Sequence, residues 1–176
     1  HGPAEAARDI LRLRALGGDH AADRDARMYR LDGDPEEILR LKVYQHRGAL
    51  PLSDAVPALE KFGFRVLTEL PTGLEGGELG TIHDFKLALP EGESAAPLLG
   101  RASMIEGAIA AVLNGKAEDD PFNRLVIGTG LTAQQADWLR AFYRYLRQIG
   151  MGFTIYTVVD AFGNKELVYR DPAISS

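Results

Sequence analysis

The chain has 176 residues, enough for one domain or one small domain with a satellite, and long enough to hide about 70% of its extended surface on folding. Hydrophobic residues make up 45% and charged residues 26%, and the absence of cysteine excludes a disulfide scaffold, thiolate metal sites and a cysteine nucleophile. A formal charge of −5 argues against a phosphate-tracking nucleic-acid binder, and no apolar run approaches the ~20 residues of a membrane span.

Pro3 to Leu16 reads as a helix, with Pro3 in its first turn and Gly17-Gly18 as its stop. His1-Gly2 resembles the scar of a removed tag and Met28 is the first methionine, so the chain reads as a piece of a longer protein. His20 to Arg30 is charged and weakly patterned, and residues 3–31 are expected to form an N-terminal helix and linker. Asp32-Gly33-Asp34-Pro35 is a turn cluster. Ile38 and Arg40 then alternate with Leu39, Leu41 and Val43, which predicts a strand, followed by a loop from His46 to Leu50. Ser53 is placed to cap a helix starting at Asp54, with Pro57 in its first turn and Gly63 as its stop.

Phe64, Val66 and Leu70 belong to a second strand, Pro71 to Gly80 to a hairpin loop, and Thr81 to Leu89 to a third strand. Leu98, Ala102, Ile105, Ile109 and Val112 step by four and three, predicting a helix that stops at Gly115. After a charged connector, Thr132 and Gln135 form a capping box for a helix that Gly150 ends. Phe153 to Val159 alternates and is β-branched, which favours strand, with helix as the alternative. The fold class is thus α+β: a ferredoxin-like, ACT-like βαββ core with flanking helices. Its parts are an ACT-like domain over 32–95, a helical section over 96–160 and a tail over 161–176.

Ile127-Gly128-Thr129-Gly130-Leu131-Thr132-Ala133 is a G-x-G-x-x-A string after a short apolar run and before a helix. In a dinucleotide-binding unit such glycines let the backbone approach a pyrophosphate, while an acid holds the ribose hydroxyls. Gly128, Gly130 and Asp160 are therefore alternative cofactor-binding candidates, against a plain glycine turn entering a capped helix. Asp160 lies 30 residues beyond Gly130, where about 20 is usual.

His20, His46 and His83 lack a partner at i+3 to i+5, so no metal site is expected. His83-Asp84 resembles a histidine–carboxylate couple without a nucleophile, and a hydrogen-bonded strand histidine is the simpler reading. Arg140, Arg144 and Arg147 make a basic stripe interleaved with aromatics, which fits phosphate or RNA as well as a solvated or inter-domain face; the net acidity favours the latter. Trp138, Phe142, Tyr143 and Tyr145 carry more aromatic surface than a lone helix needs, which predicts an interface with other parts of the parent chain. Between the first strand and its helix, Arg47, Gly48, Leu50 and Ser53 are candidate effector-binding residues. A ligand carboxylate there would meet a guanidinium and a helix N-terminus, with Gly48 leaving the backbone uncovered.

Several strings together resemble the large-subunit bacterial class of NAD-dependent glutamate dehydrogenase. They are Leu39-Arg40-Leu41-Lys42-Val43-Tyr44, Pro51-Leu52-Ser53-Asp54, Phe62-Gly63-Phe64-Arg65-Val66-Leu67 and Ile82-His83-Asp84-Phe85, then Asn123 to Leu125, and Leu139 to Gly150 with its Tyr145-Leu146-Arg147-Gln148. The resemblance spans most of Glu5 to Asp160 in the same order; the tail from Phe162 to Ser176 matches poorly.

It implies an ACT-like regulatory region upstream of the catalytic core, in a cytoplasmic, oligomeric oxidoreductase that turns L-glutamate into 2-oxoglutarate and ammonia with NAD. The family's glycine-rich, lysine-containing substrate site has no counterpart around Lys42, Lys61, Lys86 or Lys116, so no catalytic residue is carried over. The fragment is expected to be non-catalytic, with no cofactor of its own and with NAD used by the parent. Its expected partners are the rest of the parent polypeptide, further copies of it and an amino-acid effector, and neither nucleic acid nor membrane.

Overall fold

The computed structural model describes residues 2–16, 24–47, 50–74 and 78–164. The chain divides into two compact units, one holding residues up to 119 and the other those from 120 onward together with Lys61–Gly63. The first unit contains α1 (Pro3–Leu16), β1 (Arg24–Tyr29), β2 (Ile38–Gln45), α2 (Leu52–Lys61), β3 (Arg65–Leu74), β4 (Gly80–Ala88), α3 (Ala95–Gly100) and α4 (Ala102–Leu113).

Its four strands form one sheet in the order β1-β2-β4-β3, each antiparallel to its neighbour. β2 and β3 therefore run parallel with β4 between them, and α2 is the crossover that joins them. This is the expected α+β arrangement with its ACT-like βαββ core, completed by a strand that sequence reasoning missed. Residues 24–29, expected to be linker, are β1. Arg24, Asp25 and Arg27 hide its alternation, because the groups that hold their charged ends are distant in sequence: Gln45 for Arg24, Arg12 for Asp25, and Glu5 with Tyr44 for Arg27.

Register assigns the two faces of the sheet. Leu39, Leu41, Val43, Phe85 and Leu87 stand on one and are almost wholly inaccessible, each contributing roughly 1.5–3 kcal/mol by burial. Arg27, Lys42 and Asp84 form a row on the other, beside Tyr44 and Ile82. Leu13 and Leu16 of α1 close over Tyr44 and Ile82 on that face.

Both sheet edges are blunted, as exposed edge amides would otherwise template pairing. On β1, the Glu106 carboxylate of α4 accepts the Met28 N–H at 2.7 Å. Asn114 accepts the Arg24 N–H at 3.1 Å and donates to the Arg24 carbonyl at 2.8 Å, imitating a strand partner. Burial raises the Glu106 carboxyl above its ordinary range, and the Met28 amide opposes that rise. On β3, the register shifts between Val66 and Thr68, and Pro71 presents no N–H. Residues 71–74, expected in the hairpin loop, continue this strand. Gly80 opens β4 at φ 135°, where a Cβ would lie 2.4 Å from the Gln45 carbonyl oxygen, so only glycine fits.

The second unit comprises a 3-10 turn (Pro121–Asn123), α5 (Arg124–Gly128), α6 (Ala133–Gln148) and α7 (Ile155–Gly163) around Phe122, Leu125 and Val159. The expected capping box is present. Gln135 N–H donates to Thr132 Oγ1 at 3.2 Å, and Thr132 N–H to Gln135 Oε1 at 2.9 Å. Gly150, at φ 89°, ends α6 in a Schellman turn, its N–H on the Arg147 carbonyl and that of Met151 on the Leu146 carbonyl.

Four local expectations are corrected. α2 begins at Leu52, with the Asp54 and Ala55 N–H groups on the Pro51 carbonyl, so Ser53 lies inside the helix and does not cap it. Pro57 consequently falls in the second turn. The helix expected through Leu98 and Val112 is two helices broken at Arg101. Phe153 to Val159 is mainly helix α7, because Thr154 caps it through the Thr157 N–H at 3.2 Å and Val159 turns into the apolar cluster. The 161–176 tail begins as the end of α7, and residues 165–176 lie outside the described residues.

Candidate functional site

The side of the sheet under α1 concentrates the charged chemistry of the first unit. Lys42 is 2% exposed; its Nζ donates to Asp9 Oδ2 at 2.6 Å and to Glu5 Oε1 at 3.1 Å. Tyr44 donates its hydroxyl proton to Asp9 Oδ1 at 2.7 Å and accepts from Arg27 Nε at 3.1 Å, while Arg27 also pairs with Glu5. Burial, reinforced by the Asp9 acceptor, pushes the Tyr44 phenol well above its ordinary value. Tyr29 donates to Asp84 Oδ2 at 2.5 Å and is shifted the same way, again chiefly by burial. Removing any one partner leaves a desolvated charge without its answer, so the residues act as one network.

The Pro3 start and the Gly17-Gly18 stop predict α1 but say nothing of Asp9, since an acid on a helix face ordinarily reads as solvated. The available signal was a second cation, Lys42, within the strand from Leu39 to Tyr44 that already carries Arg40. At the turn before β2, Arg40 grips Asp34 through Nε at 2.8 Å and Nη2 at 3.1 Å, holding the Asp34 carboxyl down at about 2.

The loop between β2 and α2 holds the sequence-derived effector candidates. Arg47 is exposed at φ 59°, and its carbonyl accepts from Gln45 Nε2 at 3.1 Å. Gly48 lies outside the described residues. Leu50 is buried, and its N–H donates to His83 Nε2 at 3.2 Å. Ser53 Oγ lies 3.4 Å from Asp54 Oδ1, so the first turn of α2 carries its own carboxylate. With the Leu50, Asp54 and Ala55 amides engaged, Arg47 is the cation the loop offers to solvent.

His83 is a buried strand histidine. Its Nδ1 lies 2.6 Å from Glu69 Oε1 and its Nε2 accepts the Leu50 amide, which fixes the Nδ1–H tautomer. Its carboxylate partner is thus Glu69 on β3 rather than the adjacent Asp84, a pairing only the sheet creates. His20 lies outside the described residues, and no group of three or more His, Asp or Glu poised for a metal occurs among the described ones.

The glycine string has a different setting from a dinucleotide turn. The apolar run before Gly128 is helix α5 rather than a strand, and Gly130 at φ 75° is the turn into α6. Asp160 stands exposed on α7, 3.5 Å from Arg124 Nη1. The elements do not bring Gly128, Gly130 and Asp160 into the strand–turn–helix context that nucleotide binding requires.

The basic stripe is also broken. Arg140 is buried over the Phe122 ring and grips Asp120 through Nε at 2.5 Å and Nη2 at 2.8 Å, with Asp137 and Asn123 beside it. Asp120 in turn accepts the Phe122 N–H at 3.0 Å, so the arginine fastens the 3-10 turn to α6. The opposite face of α6 carries Trp138, Phe142, Tyr145 and Ile149 at spacings of four, three and four, all more than half exposed. Among the described residues no helix is long and apolar enough to cross a membrane.

Comparison with known proteins agrees with this division. The glutamate dehydrogenase ACT3 domain matches residues 23–97, and glutamate dehydrogenase helical motif 3 matches residues 117–171. The chain is 37% identical over 138 residues to an NAD-specific glutamate dehydrogenase of Pseudomonas aeruginosa, covering 77% of this chain and 8% of that one. It is 34% identical over 155 residues to that of Halomonas elongata, covering 87% and 10%, and 30% identical over 158 residues to that of Mycobacterium tuberculosis, covering 86% and 9%. The chain therefore spans about a tenth of the length of the relatives it matches.

Proposed function

The chain belongs to the NAD-specific glutamate dehydrogenase family, and from that premise we propose that it is a non-catalytic regulatory or assembly module of such an enzyme. In this reading the parent, a cytoplasmic oligomer, oxidises L-glutamate to 2-oxoglutarate and ammonia with NAD, and this piece supplies none of the reacting groups.

The observation that carries the assembly role is the α6 stripe. Trp138, Phe142, Tyr145 and Ile149 lie along one line of a capped helix with more than half of each side chain exposed. Contiguous exposed apolar surface marks an interaction site, and aromatic anchors are typical of one. The remainder of the parent polypeptide is the partner this reading assigns to it. The regulatory role rests on the β2–α2 loop, where Arg47 would take an effector carboxylate; Gly48, Leu50 and Ser53 are the other candidate residues of that segment.

Two measurements test the reading. Titrating NAD into the 176-residue chain is expected to give no saturable heat, and added L-glutamate no NAD reduction. Saturable NAD binding that Gly130→Asp removes would replace this function with a dinucleotide-binding one. In the full-length parent, Phe142→Lys with Tyr145→Lys is expected to lower the sedimentation coefficient or the heat stability of the activity. An unchanged oligomer with unchanged heat stability would end the assembly role.

A further inference from the structure

On the sheet face under α1, beside the ionic network, lies a cavity of about 190 Å³. Ile10 of α1, Leu70 and Leu74 of β3 and Ile82 of β4 supply apolar walls, and Asp9, Lys42 and Asp84 supply its polar lining. Cavities of roughly 150 Å³ accommodate benzene, so the space suits a body of about six to eight heavy atoms.

The polar lining is not balanced. Lys42 is already answered by Asp9 and Glu5, and Asp9 is further bonded by Tyr44. Asp84 is engaged on one side only: Oδ2 receives the Tyr29 hydroxyl at 2.5 Å, whereas Oδ1 is buried with no hydrogen-bond partner. A buried carboxylate oxygen without a donor is unfavourable, and a donor brought into the cavity would relieve it. The three ionisable groups of the lining sum to one negative charge. Leu70, 66% exposed, stands at the cavity as apolar surface that a ligand would cover.

We propose that this cavity binds a small primary ammonium carried on a short branched apolar body, the ammonium donating to Asp84 Oδ1 and the hydrocarbon lying between Ile10, Leu70, Leu74 and Ile82. The site is separate from the β2–α2 loop and from the α6 stripe, and it stands whether or not the module regulates an enzyme. Charge selects the cation: a carboxylate would meet both Asp84 and Asp9, and the single lysine is committed. Apolar complementarity selects the branched body over a bare ammonium ion.

The test uses three probes that share one branched five-carbon skeleton on the 176-residue chain, 3-methylbutan-1-amine, 3-methylbutan-1-ol and 3-methylbutanoate, followed by methyl NMR of the leucines and isoleucines. The amine is expected to bind saturably in the millimolar range, shifting Ile10, Leu70, Leu74 and Ile82. The alcohol should bind at least tenfold more weakly, and the carboxylate more weakly still. Asp84→Asn should reduce amine binding at least tenfold. Thr72→Phe, at an exposed lining position, should block all probes while leaving the Tyr29–Asp84 bond intact, so a folded control survives if the asparagine variant does not. Equal binding of amine and alcohol, tighter binding of the carboxylate, or amine binding unaffected by either substitution would overturn the site. So would an absence of saturable shifts with the amine.

Discussion

In the sheet unit Lys42 is 2% exposed and gripped by two carboxylates, whereas in the helical unit Trp138 stands 64% exposed. The first region takes in charge that water would solvate well and answers it internally; the second leaves out aromatic surface that a core would readily absorb. Arg140 shows that the helical unit can also bury charge when fastening its own parts. The α1 side of the sheet is largely closed by its own helix, whereas the α6 face stands exposed, as the proposed assembly role requires.

The contrast breaks most visibly at Asp9. Replacing Asp9 by leucine leaves Lys42 and Tyr44 buried without their main acceptor, an expected loss of about 3–5 kcal/mol in urea unfolding monitored by circular dichroism. A loss below about 1 kcal/mol would mean that α1 does not close this face. Gly80→Ala comes next, at about 2–3 kcal/mol, because it forces a Cβ toward the Gln45 carbonyl at a backbone angle that L residues rarely adopt.

Asp34→Asn should cost about 1.5 kcal/mol at neutral pH, the worth of a charge-assisted pair. The Asp34 carboxyl is held at about 2 against an ordinary 3.8, so its stabilisation is complete above the ordinary value and disappears as the pH falls through about 2. The gap between wild type and variant should narrow over that interval in pH-dependent unfolding; a gap undiminished at pH 2 would remove the ionic contribution. The smallest expected effect is the most telling. Trp138→Lys should change the stability of the isolated chain by no more than about 0.5 kcal/mol, since the side chain is mostly in water already. A loss of several kcal/mol would show that the stripe serves the unit's own core.

Periodicity and punctuation determined much of this protein in advance. The first-turn Pro3 of α1, the alternation of β2, the Thr132–Gln135 box and the Gly150 stop are local devices, each complete within a few residues, and all are legible in the chain. The family strings likewise identified the region before any geometry. Tertiary structure decided the rest, because the deciding partners are distant in sequence. β1 exists through its pairing with β2 and the cover given by Glu106 and Asn114. Phe153 to Val159 alternates like a strand, yet most of it is helix where Val159 meets Phe122 and Leu125. His83 belongs with Glu69 across a strand pair, and Arg140 lies inside rather than on a basic stripe. Of the cavity beside Asp84, sequence held only fragments. Ile10, Lys42, Leu70 and Asp84 come from four elements, and a site assembled across a sheet and a helix has no spacing that a linear pattern can show.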